Sequence, residues 1–238
     1  MVPVMLTVDF NLLDVRPGQL VLDAGCGGGR HSFEAFRQGA TICAMDYDLK
    51  EIKKVIYSLV GASRDDCRNG GQFAAMTADV VHLPFADACF DRIICSEVLE
   101  HIHEDVRALA EFVRILKPRG RIAATVPTWF TEAAYGFLSP LYFANPGGHV
   151  RKFTPKELAA KMRRAGLRIY ALRHAHGFHS PYWLLRCAFG LDDENHPVSR
   201  TYRKFLVKTI ESPGISSIEK NILDYCCPKS IIIYGQKI

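Results

Sequence analysis

The chain has 238 residues, 48% of them apolar, which is enough to bury the core of one α/β domain and excludes global disorder. No apolar run approaches the ~20 residues that a membrane-spanning helix needs, and residues 1–13 lack the basic region of a secretory signal. The formal net charge of +5 is mild: it argues against a nucleic-acid partner but is compatible with an anionic substrate or a lipid headgroup.

The eight cysteines do not follow the pattern of a disulfide framework or a zinc site. Cys43 and Cys95 fall in predicted buried strands, and Cys26 lies in a glycine-rich loop. Cys226 and Cys227 are adjacent, and no CxxC pair occurs. Most of the cysteines are therefore interpreted as small core residues in a reducing compartment, which predicts a cytoplasmic protein.

Short β-branched apolar segments alternate with amphipathic segments, which predicts a parallel sheet with crossover helices. The predicted strands are residues 20–23, 41–46, 73–77, 91–95, 120–126, 167–172 and 230–235. Apolar residues recur at helical spacing between 52 and 60 and between 106 and 116. The turn at 117–120 should end that second helix. A capping box at Thr154 and Glu157, with Pro155 between them, predicts a further helix that ends at Gly166.

A glycine-rich loop follows the first predicted strand and contains Gly25, Gly27 and Gly29. Glycines let the backbone turn sharply and approach a ligand closely, and similar loops bind dinucleotides. A dinucleotide fingerprint has Gly or Ala where this chain has Arg30, and the carboxylate of Asp23 would repel a pyrophosphate. The loop therefore favours a cofactor with positively charged groups over a dinucleotide.

This loop and the segments after it resemble, in order, the motifs of class I S-adenosylmethionine-dependent methyltransferases. The resemblance covers roughly residues 18–172 and rests on D-x-G-x-G-x-G from Asp23, Asp46-Tyr47, Asp79-Val80, Leu83-Pro84-Phe85, Phe90-Asp91, Ser96 to His101, and Leu116-Lys117-Pro118. It departs at Arg119, where many relatives have Gly, and in a long C-terminal insertion. It implies a Rossmann-like α/β fold: a seven-stranded, mostly parallel sheet with helices on both faces.

The resemblance also implies which residues bind S-adenosylmethionine. Asp46 should accept both ribose hydroxyls, Tyr47 should lie against the adenine, and Asp79 should accept the adenine amino group. The backbone N–H of Val80 should contact a ring nitrogen. The methionine end should lie among the residues of the loop and the fourth strand tip, which are Asp23 near the ammonium, Gly25, Cys26, Gly27 and Ser96.

An acidic and histidine-rich group follows the fourth strand, with Glu97, Glu100 and His101 at i, i+3 and i+4. On a helix they would share one face beside the sulfonium. With His149 they resemble the ligand set of two metal-using branches, the ubiquinone-biosynthesis O-methyltransferases and the small-RNA 2′-O-methyltransferases. That likeness implies a Mg²⁺ or Zn²⁺ site formed by Glu97, Glu100, His101 and His149. Metal-free catalysis, with His101 as the base and Glu97 and His149 as further catalytic residues, and a purely structural role are the alternatives.

Residues 173–229 separate the last two predicted strands, where a hairpin would need only ~2–5 residues. We interpret them as a helical cap inserted into a single domain, between the cofactor-binding core (18–172) and the last strand (230–238). The first strand begins so early that almost no N-terminal segment is expected to cover the site. Aromatic residues between 129 and 146 should line an apolar acceptor pocket with the cap or else pack in the core. These residues are Phe130, Tyr135, Phe137, Tyr142 and Phe143.

Two features of the cap bear on possible partners. The helix at 198–210 either packs on the core or rests on a membrane surface through Arg200, Arg203, Lys204 and Lys208. His174, His176 and His179 do not match a metal-site spacing and are expected in a solvated or substrate-contacting loop.

The sequence therefore predicts a methyltransferase that acts on a small molecule, above all on a hydroxyl oxygen of a lipid-like, phenolic or sugar acceptor. A metal-assisted nucleic-acid 2′-O-methyltransferase is the first alternative, supported by the Glu-Glu-His-His set and opposed by the mild charge. A non-catalytic cofactor-binding regulatory subunit and a dehydrogenase are the others. The complete set of cofactor motifs opposes the regulatory subunit, and the loop chemistry opposes the dehydrogenase.

Overall fold

A computed structural model describes residues 5–65, 71–138, 148–189 and 196–238 of the chain. The strands are β1 (Leu20–Ala24), β2 (Thr41–Asp46), β3 (Phe73–Thr77), β4 (Phe90–Ser96), β5 (Leu116–Pro127), β6 (Leu167–Ala175) and β7 (Ser230–Lys237). They form a seven-stranded sheet in the order β3-β2-β1-β4-β5-β7-β6. Neighbouring strands from β3 to β5 pair in parallel, and β7 runs antiparallel to both β5 and β6. The prediction of a mostly parallel seven-stranded sheet is confirmed.

The helices that cover or adjoin this sheet are α1 (Phe10–Leu13), α2 (Arg30–Arg37), α3 (Leu49–Asp65), α4 (Asp105–Ile115), α5 (Trp129–Leu138), α6 (Pro155–Arg164), α7 (His179–Phe189), α8 (Pro197–Glu211), α9 (Pro213–Ile218) and α10 (Asp224–Cys226). A 3-10 turn covers Leu99–His101, and a π-helical segment covers Glu219–Leu223. Helix α6 begins as the sequence predicts, with Thr154 Oγ1 accepting a hydrogen bond from the backbone N–H of Glu157. Helices α7 to α10 all lie between β6 and β7.

Successive residues of a strand point to opposite faces of the sheet, and in the central strands the residues of both faces are buried. On β4, Ile93 and Cys95 join the cluster that includes Leu109 and Phe112 of α4, whereas Ile94 joins the opposite cluster. The opposite cluster includes residues of α1, α2 and α3. Two helical layers therefore cover the sheet and hold its strand ends in fixed positions.

Strand β5 begins earlier than the sequence indicates, at Leu116 instead of residue 120. Its pairing with β4 shifts from Phe90–Leu116 to Arg92–Arg121, so the predicted turn at 117–120 is an irregularity within the strand. Arg119 has a φ of 63°, a left-handed conformation that glycine adopts without strain. This is the position where the sequence departs from many methyltransferases.

Within the ranges that the structure covers, no helix combines the length and apolar character required to cross a bilayer.

Candidate active site

A cavity of about 720 Å³ opens at the carboxyl edge of the sheet, beside the ends of β1, β2 and β4. Open α/β sheets bind ligands at this edge, at the point where the strand order changes direction. Here β2 and β3 lie on one side of β1, and β4 and β5 lie on the other. All the cofactor-binding residues predicted from the sequence line this cavity except Asp23. They are Gly25, Cys26, Gly27, Asp46, Tyr47, Asp79, Val80 and Ser96.

The glycine loop is fixed to the tip of β2 by backbone hydrogen bonds. The N–H groups of Gly25 and Cys26 both donate to the carbonyl oxygen of Met45, at 2.8 and 2.9 Å. The N–H of Gly27 donates to Oδ2 of Asp46 at 2.8 Å. Gly25 has a φ of 69°, and a Cβ atom there would lie 2.3 Å from Cγ2 of Val98. Glycine is therefore required at position 25 by both conformation and space.

Asp46 and Asp79 line the same cavity from two neighbouring strands. Besides the bond from Gly27, Asp46 accepts the backbone N–H of Asp48 at Oδ1, 2.9 Å away. Oδ1 of Asp79 accepts the N–H of Val81 at 3.0 Å. A carboxylate has about four acceptor sites, so both acids retain capacity for ligand hydroxyl or amino groups. Their assignment to the ribose and the adenine stays a prediction.

Asp23 lies behind the loop and is 1% exposed. Its Oδ2 accepts a hydrogen bond from Ser32 Oγ at 2.6 Å, while Oδ1 is buried without a partner among the described residues. Burial raises the pKa of Asp23 from its usual 3.8 to about 6, against the smaller opposing effects of Ser32 and Arg30. The unpartnered oxygen and the glycine cradle beside it fit a ligand with a cationic amino-acid tail, as S-adenosylmethionine has.

Glu97 does not share a helical face with Glu100 and His101, so that prediction is wrong. Only Leu99–His101 forms a turn of helix, and Glu97 precedes it with a φ of 58°. Glu97 lines the cavity, and its side chain contacts β5 and the residue just before β7. There Oε1 accepts from Thr125 Oγ1 at 3.2 Å, and Oε2 pairs with Lys229 Nζ at 3.2 Å.

Glu100, His101 and His149 do come together, with one potential ligand atom from each lying within 4.8 Å of the others. The rings of His101 and His149 meet edge to face, with centroids 4.6 Å apart. Glu100 is 1% exposed, and neither of its oxygens has a hydrogen-bond partner among the described residues. Burial, followed by the nearby charge of Glu97, raises the pKa of Glu100 well above its ordinary value.

Backbone contacts bring His149 to this group from a distant part of the chain. The N–H groups of Val150 and Arg151 donate to the carbonyl oxygen of Glu100, at 2.9 and 3.3 Å. Arg151 also pairs with the buried carboxylate of Asp105, 2.7 Å away at the start of α4. These contacts fix the segment that carries His149 against the turn that carries Glu100.

Glu132 is a site residue that the sequence analysis missed. It lies on α5, is 1% exposed, and its Oε1 pairs with Nδ1 of His149. One signal was present in the sequence, because Glu132 is the only charged residue in Trp129–Leu138. A lone carboxylate on an apolar helix is rarely buried without a partner.

Three of the five aromatic residues predicted to line an acceptor pocket or to pack in the core lie within the described ranges. Tyr135 is buried in the core and donates to the carbonyl oxygen of Ser180 at 3.3 Å, whereas Phe130 and Phe137 are exposed. None of the three lines the cavity. Tyr142 and Phe143 lie outside the described residues.

On α8 the basic residues predicted from the sequence are all exposed. They are Arg200, Arg203, Lys204 and Lys208. A separate apolar groove of about 600 Å³ lies beside the same helix, lined by Pro197, Val198, Thr201, Tyr202 and Phe205. Whether this surface meets a membrane stays a prediction.

The three clustered histidines are not in a solvated loop, because His174 lies in β6, His176 directly follows that strand and His179 begins α7. The N-terminal segment does reach the site. His176 is buried, with Nε2 2.8 Å from Thr7 Oγ1. The backbone N–H of Thr7 donates to Nε2 of His31, a residue of the cavity wall, at 3.2 Å. His174 is partly buried, and His179 lies 3.9 Å from Glu219.

The family model and the relatives that match this chain are all methyltransferases. A family model described as a methyltransferase domain matches residues 22–124. A demethylmenaquinone methyltransferase of Streptomyces avermitilis is 30% identical over 184 residues, 69% of this chain and 75% of that protein. A ubiquinone biosynthesis O-methyltransferase of Xanthomonas axonopodis is 32% identical over 159 residues, 64% of each chain.

Other matches are shorter, and solved structures are similar in fold. A demethylmenaquinone methyltransferase of Thermobifida fusca is 36% identical over 110 residues, so the chain spans only 44% of that relative's length. A SAM-dependent methyltransferase from Methanosarcina mazei has a TM-score of 0.63 at 17% identity, over 98% of this chain and 99% of that one. A geranyl diphosphate methyltransferase has a TM-score of 0.63 at 13% identity, over 96% and 83%.

Proposed function

The chain belongs to the S-adenosylmethionine-dependent methyltransferases, and we propose that it transfers the methyl group to a hydroxyl oxygen of a small organic molecule. The observation that carries this proposal is the group formed by Glu100, His101 and His149, with Glu132 behind it. His101 lines the same cavity as the glycine loop. The group therefore supplies bases at the end of the cavity where the transferred methyl would lie.

A methyl group on a sulfonium is already activated, so the protein has to orient the acceptor and remove its proton. The acceptor oxygen forms a bond to the methyl carbon, the carbon–sulfur bond breaks, and its electron pair stays on sulfur. The hydroxyl proton passes to the imidazole of His101. His149 packs against that ring, and Glu132 fixes the orientation of His149. Glu132 acts here as a positioning residue.

A divalent metal ion fits the same three side chains, which would be Glu100, His101 and His149 without Glu97. The fit rests on the two buried, unpartnered oxygens of Glu100 beside two imidazoles, a donor set that suits Zn²⁺ and related ions. Glu132 is placed as the carboxylate partner that metal-binding histidines commonly have. When bound, the metal would lower the pKa of an acceptor hydroxyl.

The choice of acceptor draws on the names of relatives, which refer to demethylmenaquinone and to ubiquinone biosynthesis. We propose a phenolic or lipid-like hydroxyl as the acceptor class, ahead of sugars. A nucleic-acid 2′-hydroxyl would use the same base, but the mild net charge does not favour it.

Methyl transfer from radiolabelled S-adenosylmethionine to a panel of catechols, phenols, sugars and a short RNA tests the proposal, with mass spectrometry of the products. We expect O-methylated phenols, a loss of at least ~100-fold in kcat for His101→Gln, and little change for the matched exposed control His103→Gln. Transfer only to carbon or nitrogen, or only to RNA, would reject the proposed acceptor class. Full turnover in excess chelator would reject the metal site and would leave the proposed acceptor class unaffected.

A further inference from the structure

Arg30 is the first residue of α2, and its guanidinium lines the cavity near the tip of β4. Its Nη2 donates to Thr7 Oγ1 at 2.9 Å and to Ser96 Oγ at 3.5 Å. A guanidinium carries five N–H donors, and its Nε and Nη1 make no hydrogen bond within the part of the chain that the structure describes. Donors thus remain available on the wall of the cofactor cavity.

No carboxylate in the described ranges makes an ion pair with Arg30. The two acids that influence it most, Glu97 and Asp23, are engaged elsewhere, Glu97 with Lys229 and Asp23 with Ser32. Burial is the largest effect on Arg30 and lowers its pKa, so the cation is held at a cost in solvation. Buried cations are normally paired with an anion, and Arg30 lines a cavity that has room for one.

We propose that Arg30 binds the α-carboxylate of the S-adenosylmethionine tail and thereby selects a cofactor with an intact amino-acid end. The tail is a zwitterion, and the site offers a matching pair of charges. Asp23 has an unpartnered oxygen behind the glycine loop for the ammonium, and Arg30 has free donors for the carboxylate. The inference rests on the cofactor that the family uses and is independent of the proposed acceptor.

This assignment also explains a feature of the glycine loop. Dinucleotide-binding loops have Gly or Ala at the position of Arg30, because the helix packs closely there and the pyrophosphate is already neutralised by backbone N–H groups. An amino-acid carboxylate is planar and smaller than a pyrophosphate, so a side chain that supplies two parallel N–H donors suits it.

Calorimetric binding of two ligands that differ only in this group tests the proposal: S-adenosylmethionine and decarboxylated S-adenosylmethionine. We expect Arg30→Gln to weaken binding of the first by roughly 10- to 100-fold and of the second by less than about twofold. Arg30→Lys should give an intermediate loss, because charge is kept and the fork is lost. The control is Arg37→Gln, on the same helix and paired with Glu34 at the surface, outside the lining of the cavity.

Thr7→Val separates ligand binding from packing, since it removes the hydrogen bonds of Oγ1 with Arg30 Nη2 and with His176 and leaves the charge of Arg30. It should change the affinity ratio of the two ligands by less than about threefold, with folding monitored by circular dichroism. Equal weakening of both ligands by Arg30→Gln would make Arg30 a structural residue and overturn the proposal. Unchanged affinity for both, with a raised KM for acidic acceptors only, would overturn it in favour of acceptor recognition. Failure of the unsubstituted protein to bind either ligand would instead overturn the cofactor assignment itself.

Discussion

The buried carboxylate of Glu132 pairs with Nδ1 of His149, 17 residues further along the chain. When Nδ1 donates to this carboxylate, Nε2 of the neutral ring keeps its lone pair, so the pairing selects one tautomer of His149. Glu132→Gln should therefore lower kcat by roughly 10- to 100-fold and leave the affinity for S-adenosylhomocysteine within about twofold. Steady-state kinetics and calorimetry measure the two effects.

Glu104→Gln is the matched control, because Glu104 is exposed before α4 and, among the described residues, its carboxylate pairs with Arg107. If a metal binds, Glu132→Gln should also weaken Mn²⁺ or Zn²⁺ binding by roughly 10-fold or more, measured without substrate. A Glu132→Gln protein with normal kcat and normal metal affinity would show that Glu132 has no role in the site.

The two acids after β4 should differ in metal binding. Glu100 lies with His101 and His149, whereas Glu97 is held by Thr125 and Lys229. Glu100→Gln should abolish measurable binding of Zn²⁺ by calorimetry, because the amide cannot replace an anionic ligand. Glu97→Gln should change the affinity by less than about threefold. Loss of Zn²⁺ binding in both variants would restore the four-ligand set that the sequence indicates, and the reverse order would exclude Glu100 as a ligand.

The sheet could be predicted from the sequence because the period of its strands and the motifs at their ends are local features. Every strand overlaps its predicted range, from β1 at Leu20–Ala24 to β7 at Ser230–Lys237. The position of the Glu97 side chain could not be predicted from the sequence. The i, i+3, i+4 spacing brings three residues to one face only in a helix, and Glu97 is outside the helical turn with a left-handed φ of 58°. Glu132 was missed for another reason: its pairing with His149 depends on where two distant segments meet.

Asp46 should be essential for cofactor binding because it lines the cavity and also holds the glycine loop through Gly27. Asp46→Asn should weaken S-adenosylhomocysteine binding by at least ~100-fold, since the charged acceptor of two hydroxyls is lost. The control is Asp48→Asn, whose carboxylate accepts, within the described ranges, from the backbone N–H of Lys50 at the start of α3. Unchanged affinity for Asp46→Asn in calorimetry would refute the ribose assignment.

The buried carboxyl of Asp23 should make stability fall as the pH rises. Its pKa is raised from 3.8 to about 6 by burial, so between these values the folded state binds more protons than the unfolded state. The free energy of unfolding should therefore decrease across this window, by up to about 3 kcal/mol. Asp23→Asn should remove that decrease, as measured by urea unfolding between pH 4 and 7.

Comparing the unsubstituted protein with Asp23→Asn isolates the contribution of Asp23 to the pH dependence of stability, because both proteins keep His31. Burial lowers the pKa of His31 from 6.5 to about 3, so His31 gives the opposite slope and loses stability as the pH falls. A difference between the two proteins that does not change with pH would mean that Asp23 keeps its usual pKa in the folded state.

Gly25 should be irreplaceable because a side chain there would displace Val98, just before the turn that carries Glu100 and His101. Gly25→Ala adds a Cβ atom 2.3 Å from Cγ2 of Val98 at a φ of 69°, a conformation that costs an L-residue about 1–2 kcal/mol. We expect at least ~10-fold weaker binding of S-adenosylhomocysteine in calorimetry. The control is Gly61→Ala in α3, outside the lining of the cavity, where the φ is ordinary and nothing lies within 4 Å of the added atom.

The contact with Val98 can be separated from the backbone strain by a second substitution. Val98→Ala removes both γ-carbons, so in the Gly25→Ala protein it should recover part of the lost affinity, while the strain at position 25 remains. Recovery in the double variant would show that the valine transmits the effect from the loop to the turn after β4. If the double variant binds no better than Gly25→Ala alone, the loop conformation itself determines the affinity, and the close approach to Val98 has no part in it.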